Sequence, residues 1–305
     1  MLGLAGWIFV TRDAAAETDL IAGRDLLFDP SAFWKEDVGY MRDALDATLT
    51  TEVDVESDGG SELVAQLDPI NAFLLLTQPV LSDEAARAQF LSDLRTLGED
   101  IVARFHKDGH VWGVSNKLGV YGSKHADFGH SMKAVWMLLE IDKRLPDHPF
   151  HDFVVSVADP LVARAFDGDN GRWAKRPTSA SAVEYGSDWW IYAEADQLAA
   201  TLNLTDARHD DLLVQTQAHW VSDFVDRDRG EVVPGIKRDG SWAWNWPNGD
   251  TAKCNEWKNA YHSSEHALVL SILGRQREGA EVVLHFAVDP DDAAPFIARP
   301  YIFHG

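Results

Sequence analysis

The stretch from Trp257 to His266 carries the densest set of chemically active side chains in this sequence. If the apolar run that follows it is helical, His262 and His266 lie four residues apart on one helix face. Two imidazoles beside Glu265 suit proton transfer, a metal site or a polar helix start. Read literally, the segment also matches H-x-x-E-H, the inverted zinc-protease pattern, which requires a third protein ligand that the sequence does not clearly offer.

A second polar segment places Gly129 and His130 directly after Asp127, at the start of a predicted helix. Asp127 is a suitable helix cap. In the first turn, the helix dipole disfavours an imidazolium, which helps to keep His130 neutral. A neutral imidazole can act as a base or donate a hydrogen bond, although a capping or packing role fits the same pattern.

The third segment is the helix that Asp188 can cap, in which Glu194 follows Trp190 by four residues and shares its face. A carboxylate beside an indole and an apolar run is expected to be partly buried, which raises its pKa unless a cation pairs with it. A structural ion pair is the alternative. Together, the three segments predict a pocket lined by His130, Glu194 and His262, as abstraction and return of a proton next to a carbonyl require.

Helical periodicity dominates the elements that must position these residues. It predicts an all-α, single-domain chain with the recurring helix-loop-helix rhythm of a toroid or solenoid. The predicted helices cover about 33–48, 61–77, 83–105, 129–144, 149–166, 188–202, 206–225 and 260–275. Strands are predicted at 8–11, 231–236 and 281–287, residues 1–10 are interpreted as a first buried strand or turn, and residues 281–305 are predicted to be a C-terminal extension that packs on the barrel.

The composition of the chain limits the classes of partner that the protein is expected to bind. Lys and Arg number 27 against 49 Asp and Glu, which gives a formal net charge of -22. Such a surface repels phosphate, so a nucleic-acid partner is not expected. The apolar start is too short to span a bilayer, so no membrane partner is expected. Cys254 is the single cysteine, which excludes an intramolecular disulfide and fits a cytoplasmic setting.

Tryptophan is frequent, with 12 residues, and three of them alternate in one glycine-bounded loop at Trp242, Trp244 and Trp246. Exposed aromatic rings over a polar site suit stacking on the apolar faces of sugars. Ordinary loop packing is the alternative interpretation.

The ordered set of motifs resembles the N-acylglucosamine 2-epimerase family of sugar epimerases and aldose–ketose isomerases. The resemblance rests on Gly129-His130, on Trp189-Trp190 followed by Ala193-Glu194, and on Lys258 with Tyr261-His262, and it covers roughly residues 60–275. It implies an (α/α)6 barrel with the active site at one mouth, which opens a sugar ring, forms an enediolate and reprotonates it without a metal or other cofactor. By the same resemblance, His130, Glu194 and His262 are the catalytic residues, and His266 is a further catalytic candidate because either His130 or His266 is expected to substitute for a family histidine that this chain lacks. The candidate sugar-binding residues are Asp127, Trp190, Trp246, Trp257, Lys258 and Tyr261.

The sequence departs from the family at two points. Family epimerases commonly have a histidine within about a turn before the glutamate, where this chain has Ile191 and Tyr192. The predicted helices are also fewer than the twelve of a closed toroid, which indicates an incomplete barrel. There are therefore two alternative functions. One is a glycoside hydrolase or lyase that uses Asp127 and Glu194, and the other is a non-catalytic sugar-binding protein. The expected assembly is a homodimer.

Overall fold

The computed structural model describes residues 1–53, 58–243, 253–255 and 258–283. Helices dominate this part of the chain. They are α1 (Leu2–Thr11), α2 (Ala14–Leu27), α3 (Leu63–Pro69), α4 (Leu75–Thr77), α5 (Glu84–Phe105), α6 (Phe128–Asp142), α7 (His151–Ala165), α8 (Trp189–Asp206), α9 (Asp210–His219) and α10 (Tyr261–Arg277).

The helices alternate between two layers. The inner layer holds α1, the α3–α4 segment, α6, α8 and α10, and all five contribute side chains to one central cavity of about 690 Å³. Helices α6, α8 and α10 pack side by side, and α7 packs behind α6 and α9 behind α8. This order is the helical-hairpin toroid that the sequence predicts, so the predicted fold class is confirmed.

The cavity is the lumen of this toroid. Its wall is mainly apolar and includes Leu2, Phe9, Leu75, Leu76, Leu204, Leu268 and Leu273. Trp136, Tyr261 and Glu265 line its upper part, and Lys143, Arg144 and Gln276 line the end at which the inner helices finish.

The inner helix that begins at Leu63 is irregular. After Pro69 it widens into a π-helical turn over Ile70–Leu74 before α4 continues its course. A proline lacks the N–H that an α-helix needs at that point, and π turns are often found near functional sites. The segment brings Asp68 and Asn71 close to the residues of α6 and α10 at the mouth, as described below.

The strands are short antiparallel pairs within the loops. They are β1 (Trp34–Lys35) with β2 (Tyr40–Met41), β3 (His106–Lys107) with β4 (His110–Val111), β5 (Phe166–Asp167) with β6 (Arg172–Trp173), β7 (Arg176–Pro177) with β8 (Val183–Glu184), and β9 (Ser187–Asp188) with β10 (Gly235–Ile236). The last pair leads directly into α8, so it fixes where Trp189 and Trp190 emerge.

Several predicted elements are wrong. Residues 1–10, predicted to be a strand or turn, belong to α1, because a fully apolar run lacks a period that separates helix from strand. The predicted helix at 33–48 is instead the β1–β2 hairpin, which turns at Gly39 with φ of 73°. Helix α2 was not predicted. Of the predicted strand at 231–236, only Gly235–Ile236 forms a strand, β10, which pairs with β9.

The boundary between the inner helix α8 and the outer helix α9 also differs from the prediction. Helix α8 runs on to Asp206 and α9 begins at Asp210, whereas the sequence predicts that the first helix ends at 202 and the second begins at 206. The predicted strand at 281–287 is not present over 281–283, and its remainder lies outside the described residues together with the proposed C-terminal extension. In the part of the chain that the structure describes, no helix is both long and apolar enough to cross a membrane.

Candidate active site

The candidate site lies at the mouth of the lumen, where α6, α8 and α10 begin. Each of the three helices contributes one of the residues predicted to converge: His130, Glu194 and His262. The ring of Trp190 on α8 packs near the imidazoles of both other helices. Its centroid lies 4.7 Å from that of His130 and 6.3 Å from that of His262. The structure therefore brings these three residues to one place, as the sequence predicts.

Glu194 is the buried centre of the site, with 1% of its surface exposed. Trp136 Nε1 donates a hydrogen bond to Oε2 over 2.7 Å. The other oxygen, Oε1, makes no hydrogen bond within the described chain, but lies 3.5 Å from Lys133 Nζ and 3.7 Å from His262 Nδ1. A buried carboxylate oxygen that faces an ammonium and an imidazole without a hydrogen bond to either is available to a third partner, such as a ligand hydroxyl.

His262 occupies the first turn of α10 and is 20% exposed. Its Nδ1 faces two carboxylates, Glu194 at 3.7 Å and Glu265 at 3.4 Å, and has no hydrogen bond to another described residue. The Tyr261 ring packs edge-on against it with centroids 5.0 Å apart. A partly exposed imidazole held between two carboxylates is placed to accept and return a proton.

His130 and Asp127 form a dyad at the start of α6. Asp127 caps the helix by accepting a hydrogen bond from the His130 backbone N–H, and its other oxygen accepts one from His130 Nδ1 at 2.8 Å. Burial opposes the ionisation of Asp127, but its contacts with His130 outweigh burial, so the pKa of this carboxyl lies below its usual value. The dyad fixes the imidazole and directs Nε2 away from Asp127.

The packing of α6 against α8 depends on Gly129. A Cβ at this position would lie 2.5 Å from Trp190 Cζ3 and 2.9 Å from Ile191 Cγ1. Only a glycine lets the two helices approach this closely, so Gly129 sets the position of the Trp190 ring between the two imidazoles.

His266 lies one turn beyond His262 but contacts a different set of residues. Its Nε2 donates to Asp196 Oδ2 at 2.8 Å, and its ring packs on Trp220 with centroids 4.0 Å apart. Trp173 Nε1 donates to the other oxygen of Asp196 over 2.7 Å. This buried cluster joins α8 and α10 behind the mouth, so the structure does not bring His266 together with His130.

The predicted sugar-binding residues take different places. Tyr261 lines the lumen, and Asn71 donates to its hydroxyl group over 3.4 Å. Lys258 is fully buried beneath the Trp189 ring, and its ammonium pairs with Glu231 over 3.0 Å. Trp246 and Trp257 lie outside the described residues.

Neither residue at the place of the missing histidine reaches the mouth. Ile191 is buried in the interface between α8 and α6. Tyr192 is buried on the opposite side, where its hydroxyl donates to the Thr216 carbonyl over 2.9 Å. The helix therefore directs both side chains into the core.

Comparison with solved structures identifies the architecture. The chain matches a cellobiose 2-epimerase from Spirochaeta thermophila at 19% identity and a TM-score of 0.68, over 90% of this chain and 68% of that one. A cellobiose 2-epimerase from Bacillus thermoamylovorans matches at 14% identity and 0.71, over 89% and 69% of the two chains, and a D-mannose isomerase at 17% and 0.69, over 89% and 71%. The chain has their barrel fold. No family model matches the sequence, and no curated protein sequence matches it.

Sequence reasoning missed three residues of the mouth: Lys133, Trp136 and Asp68. The first two follow His130 at successive steps of three residues, so a helical projection of α6 would have placed them on the same face. Asp68 belongs to α3, and its raised pKa results from burial, which the charges of Lys133 and His130 only partly offset. No pattern within α3 connects Asp68 to this site, because the connection is made by packing.

Two groups of side chains in the described chain have the spacing of metal ligands. One is His125, Asp127 and His130, and the other is Glu194, His262 and Glu265. Both oxygens of Asp127 already accept hydrogen bonds from His130, and the ammonium of Lys133 lies beside Glu194. His266 belongs to neither group, so the H-x-x-E-H pattern does not form a pair of histidine ligands within the described residues.

Proposed function

We propose that this protein is a sugar epimerase or aldose–ketose isomerase that moves a proton at the carbon next to the carbonyl of a ring-opened sugar. The observation that carries the proposal is the arrangement of His262 Nδ1 and Glu194 Oε1, which lie 3.7 Å apart at the mouth of the lumen and each make no hydrogen bond to a described residue. The shared barrel fold with cellobiose 2-epimerases and a D-mannose isomerase supports it.

In this proposal, His262 and His130 are the two proton carriers. His262 removes the proton from C2, and Glu194 orients the imidazole and binds a sugar hydroxyl through its free oxygen. His130, which Asp127 holds in one orientation, takes the place of the histidine that the family has near Ile191. Both imidazoles lie beside the Trp190 ring, with their centroids 4.7 Å and 6.3 Å from its centroid. Two carriers held on different helices in this way can serve the two faces of one enediolate, which 2-epimerisation requires.

The other residues of the mouth either contact the sugar or position the residues that do. Tyr261 and Trp190 offer aromatic faces to the apolar side of a sugar ring. Lys258 acts from below by fixing Glu231 and the first turn of α10, because its buried ammonium is already paired. Asp127 and His266 have positioning roles, the former through His130 and the latter through Asp196.

The proposal is tested by proton exchange in deuterium oxide. The protein is incubated with D-mannose, D-glucose, D-fructose and cellobiose, and NMR follows deuterium at C2 together with the appearance of the epimer or ketose. We expect exchange with at least one sugar, and a loss of about 10²–10⁴-fold in the His262→Gln variant. The matched control is His151→Gln, which changes an exposed histidine at the start of α7 and should leave the exchange rate unaltered.

Absence of exchange with every sugar would contradict the proposal. Release of reducing ends from an oligosaccharide would favour a hydrolase instead, and sugar binding without turnover would favour a binding protein. A homodimer in the cytoplasm remains part of the proposal: the exposed thiol of Cys254 suits a reducing compartment, and light scattering would measure the mass in solution.

A further inference from the structure

Lys133 is a cation of the mouth that the predicted mechanism does not use. It lies on α6, three residues after His130, and its side chain is 13% exposed. Its ammonium is 3.5 Å from Glu194 Oε1, the oxygen that also faces His262. Burial raises the pKa of Asp68 on α3, and the charge of Lys133 partly offsets this effect.

The other lysines near the mouth are already engaged. Lys258 pairs with Glu231 over 3.0 Å, Lys124 pairs with Glu62 over 2.7 Å, and Lys175 pairs with Asp188 over 3.1 Å. Among the described residues, Lys133 forms an ion pair with Glu194, and its distance of 3.5 Å is longer than those of the three other lysines. That distance exceeds a normal charge-assisted hydrogen bond of about 2.7–2.9 Å, so the ammonium keeps donors for another acceptor.

The reaction proposed above creates a need for such a cation. When the C2–H bond breaks, its electron pair forms the C1–C2 double bond, and the C1=O π pair moves onto the oxygen. The proton passes to an imidazole, and the sugar becomes an enediolate with a negative oxygen. A fixed donor aimed at that oxygen is among the most effective groups in such a site, because the charge develops away from bulk water.

We propose that Lys133 is the group that stabilises this oxygen. Its ammonium donates a hydrogen bond to the carbonyl oxygen of the open-chain sugar and holds the negative charge as the proton leaves C2. Lysine suits this task as a compact point charge. No proton is transferred from Lys133, so the proton taken up by the imidazole balances the step. This inference rests on the proposed function, and it assigns a catalytic role to a residue outside the histidine–glutamate set.

The experiment compares Lys133→Met, which keeps the length of the side chain without its charge, with Lys133→Arg, which keeps the charge. The control is Lys143→Met on the same helix, because Lys143 lies two to three turns further on and pairs with Glu140 over 2.8 Å. Each variant is assayed for C2 exchange, for kcat and KM, and for its affinity for two inhibitors. One inhibitor is the neutral sugar alcohol of the best substrate, and the other is the corresponding hydroxamate, which resembles the enediolate.

We expect Lys133→Met to lower C2 exchange and kcat by about 10²–10³-fold. Its affinity for the hydroxamate should fall with the rate, while its affinity for the sugar alcohol should stay within about threefold. Lys133→Arg should recover part of the rate, and Lys143→Met should match the wild type. If Lys133→Met does not fold, Lys133→Gln replaces it in the same comparison.

Two results would overturn the inference. One is wild-type exchange by a folded Lys133→Met variant, and the other is an equal loss of affinity for both inhibitors, which would indicate a role in binding or structure alone. Both leave the proposed function intact, because the wild-type protein would still exchange C2. Failure of the wild-type protein to exchange any sugar would instead refute the proposed function, and this inference with it.

Discussion

Replacing Gly129 by alanine tests whether the close approach of α6 to α8 sets the geometry of the mouth. The new Cβ would lie 2.5 Å from Trp190 Cζ3 and 2.9 Å from Ile191 Cγ1. Carbon atoms prefer separations of about 3.5–4.0 Å, so the indole or the helices must move by roughly 1 Å. Overpacking of this kind costs about 1–3 kcal/mol.

The helix itself favours the opposite outcome. Alanine stabilises a helix by up to about 1 kcal/mol relative to glycine, so local propensity alone predicts that Gly129→Ala is more stable than the wild type. After this gain is subtracted from the cost of overpacking, the packing predicts a net loss of about 0–2 kcal/mol in the free energy of unfolding. Because Trp190 contacts both His130 and His262, a shift of about 1 Å should also lower C2 exchange by up to about 10²-fold.

Urea unfolding and the exchange assay measure the two effects, and Gly274→Ala in α10 provides the control. A Cβ at Gly274 meets no atom within 4 Å, so that variant should gain about 0.5–1 kcal/mol and keep its activity. A Gly129→Ala variant that is stabilised as much as Gly274→Ala would refute the packing argument. Destabilisation without a change in exchange would refute the link between Gly129 and the site.

Two further substitutions test the buried histidines. Burial lowers the pKa of His110 to about 3, so its imidazole stays neutral in the fold where the unfolded chain protonates it, and stability falls as the pH drops from about 6.5 towards 3. The change in the free energy of unfolding caused by His110→Phe should therefore be more favourable at pH 5 than at pH 7.5 by roughly 2 kcal/mol, as measured by urea unfolding. An equal change at both pH values would disprove the lowered pKa of His110. His266→Gln should lower the free energy of unfolding by about 1–3 kcal/mol, because it removes one of the hydrogen bonds to the buried carboxylate of Asp196, while C2 exchange in the folded protein stays within about threefold. A loss of exchange by 10²-fold or more would instead place His266 in the chemistry.

The sequence predicts the inner helices of the mouth well because each carries several signals at once. The second helix of the site illustrates this: Asp127 marks its start, Gly129 allows close packing, and the apolar period continues to its end. The predicted helix that carries His262 is also present, as α10, although its N-cap residue Ala260 has no side chain that could cap it. The position of Asp188 before α8 is also correct, although its side chain pairs with Lys175 rather than capping the helix.

The errors fall where a single local signal decided the assignment. Helix α1 is apolar on all sides, so its sequence contains no period that distinguishes a strand from a helix. The hairpin at 33–48 has apolar residues at helical spacing, but the positive φ of Gly39 turns the chain back. The place of His266 behind the mouth could not be read from its spacing, because Trp220 and Asp196 reach it from distant parts of the chain.

The common direction of the inner helices has an electrostatic consequence for the whole mouth. The α3 segment, α6, α8 and α10 all present their amino-terminal turns there, and the dipole of an α-helix places roughly half a positive charge at such a turn. The chain therefore combines a formal net charge of -22 with a site whose backbone favours anions. Surface carboxylates act through water and are screened by salt, whereas the partial charges of the helix ends act inside the lumen. Salt should thus change how a charged molecule approaches this protein far more than how the mouth holds a negative oxygen.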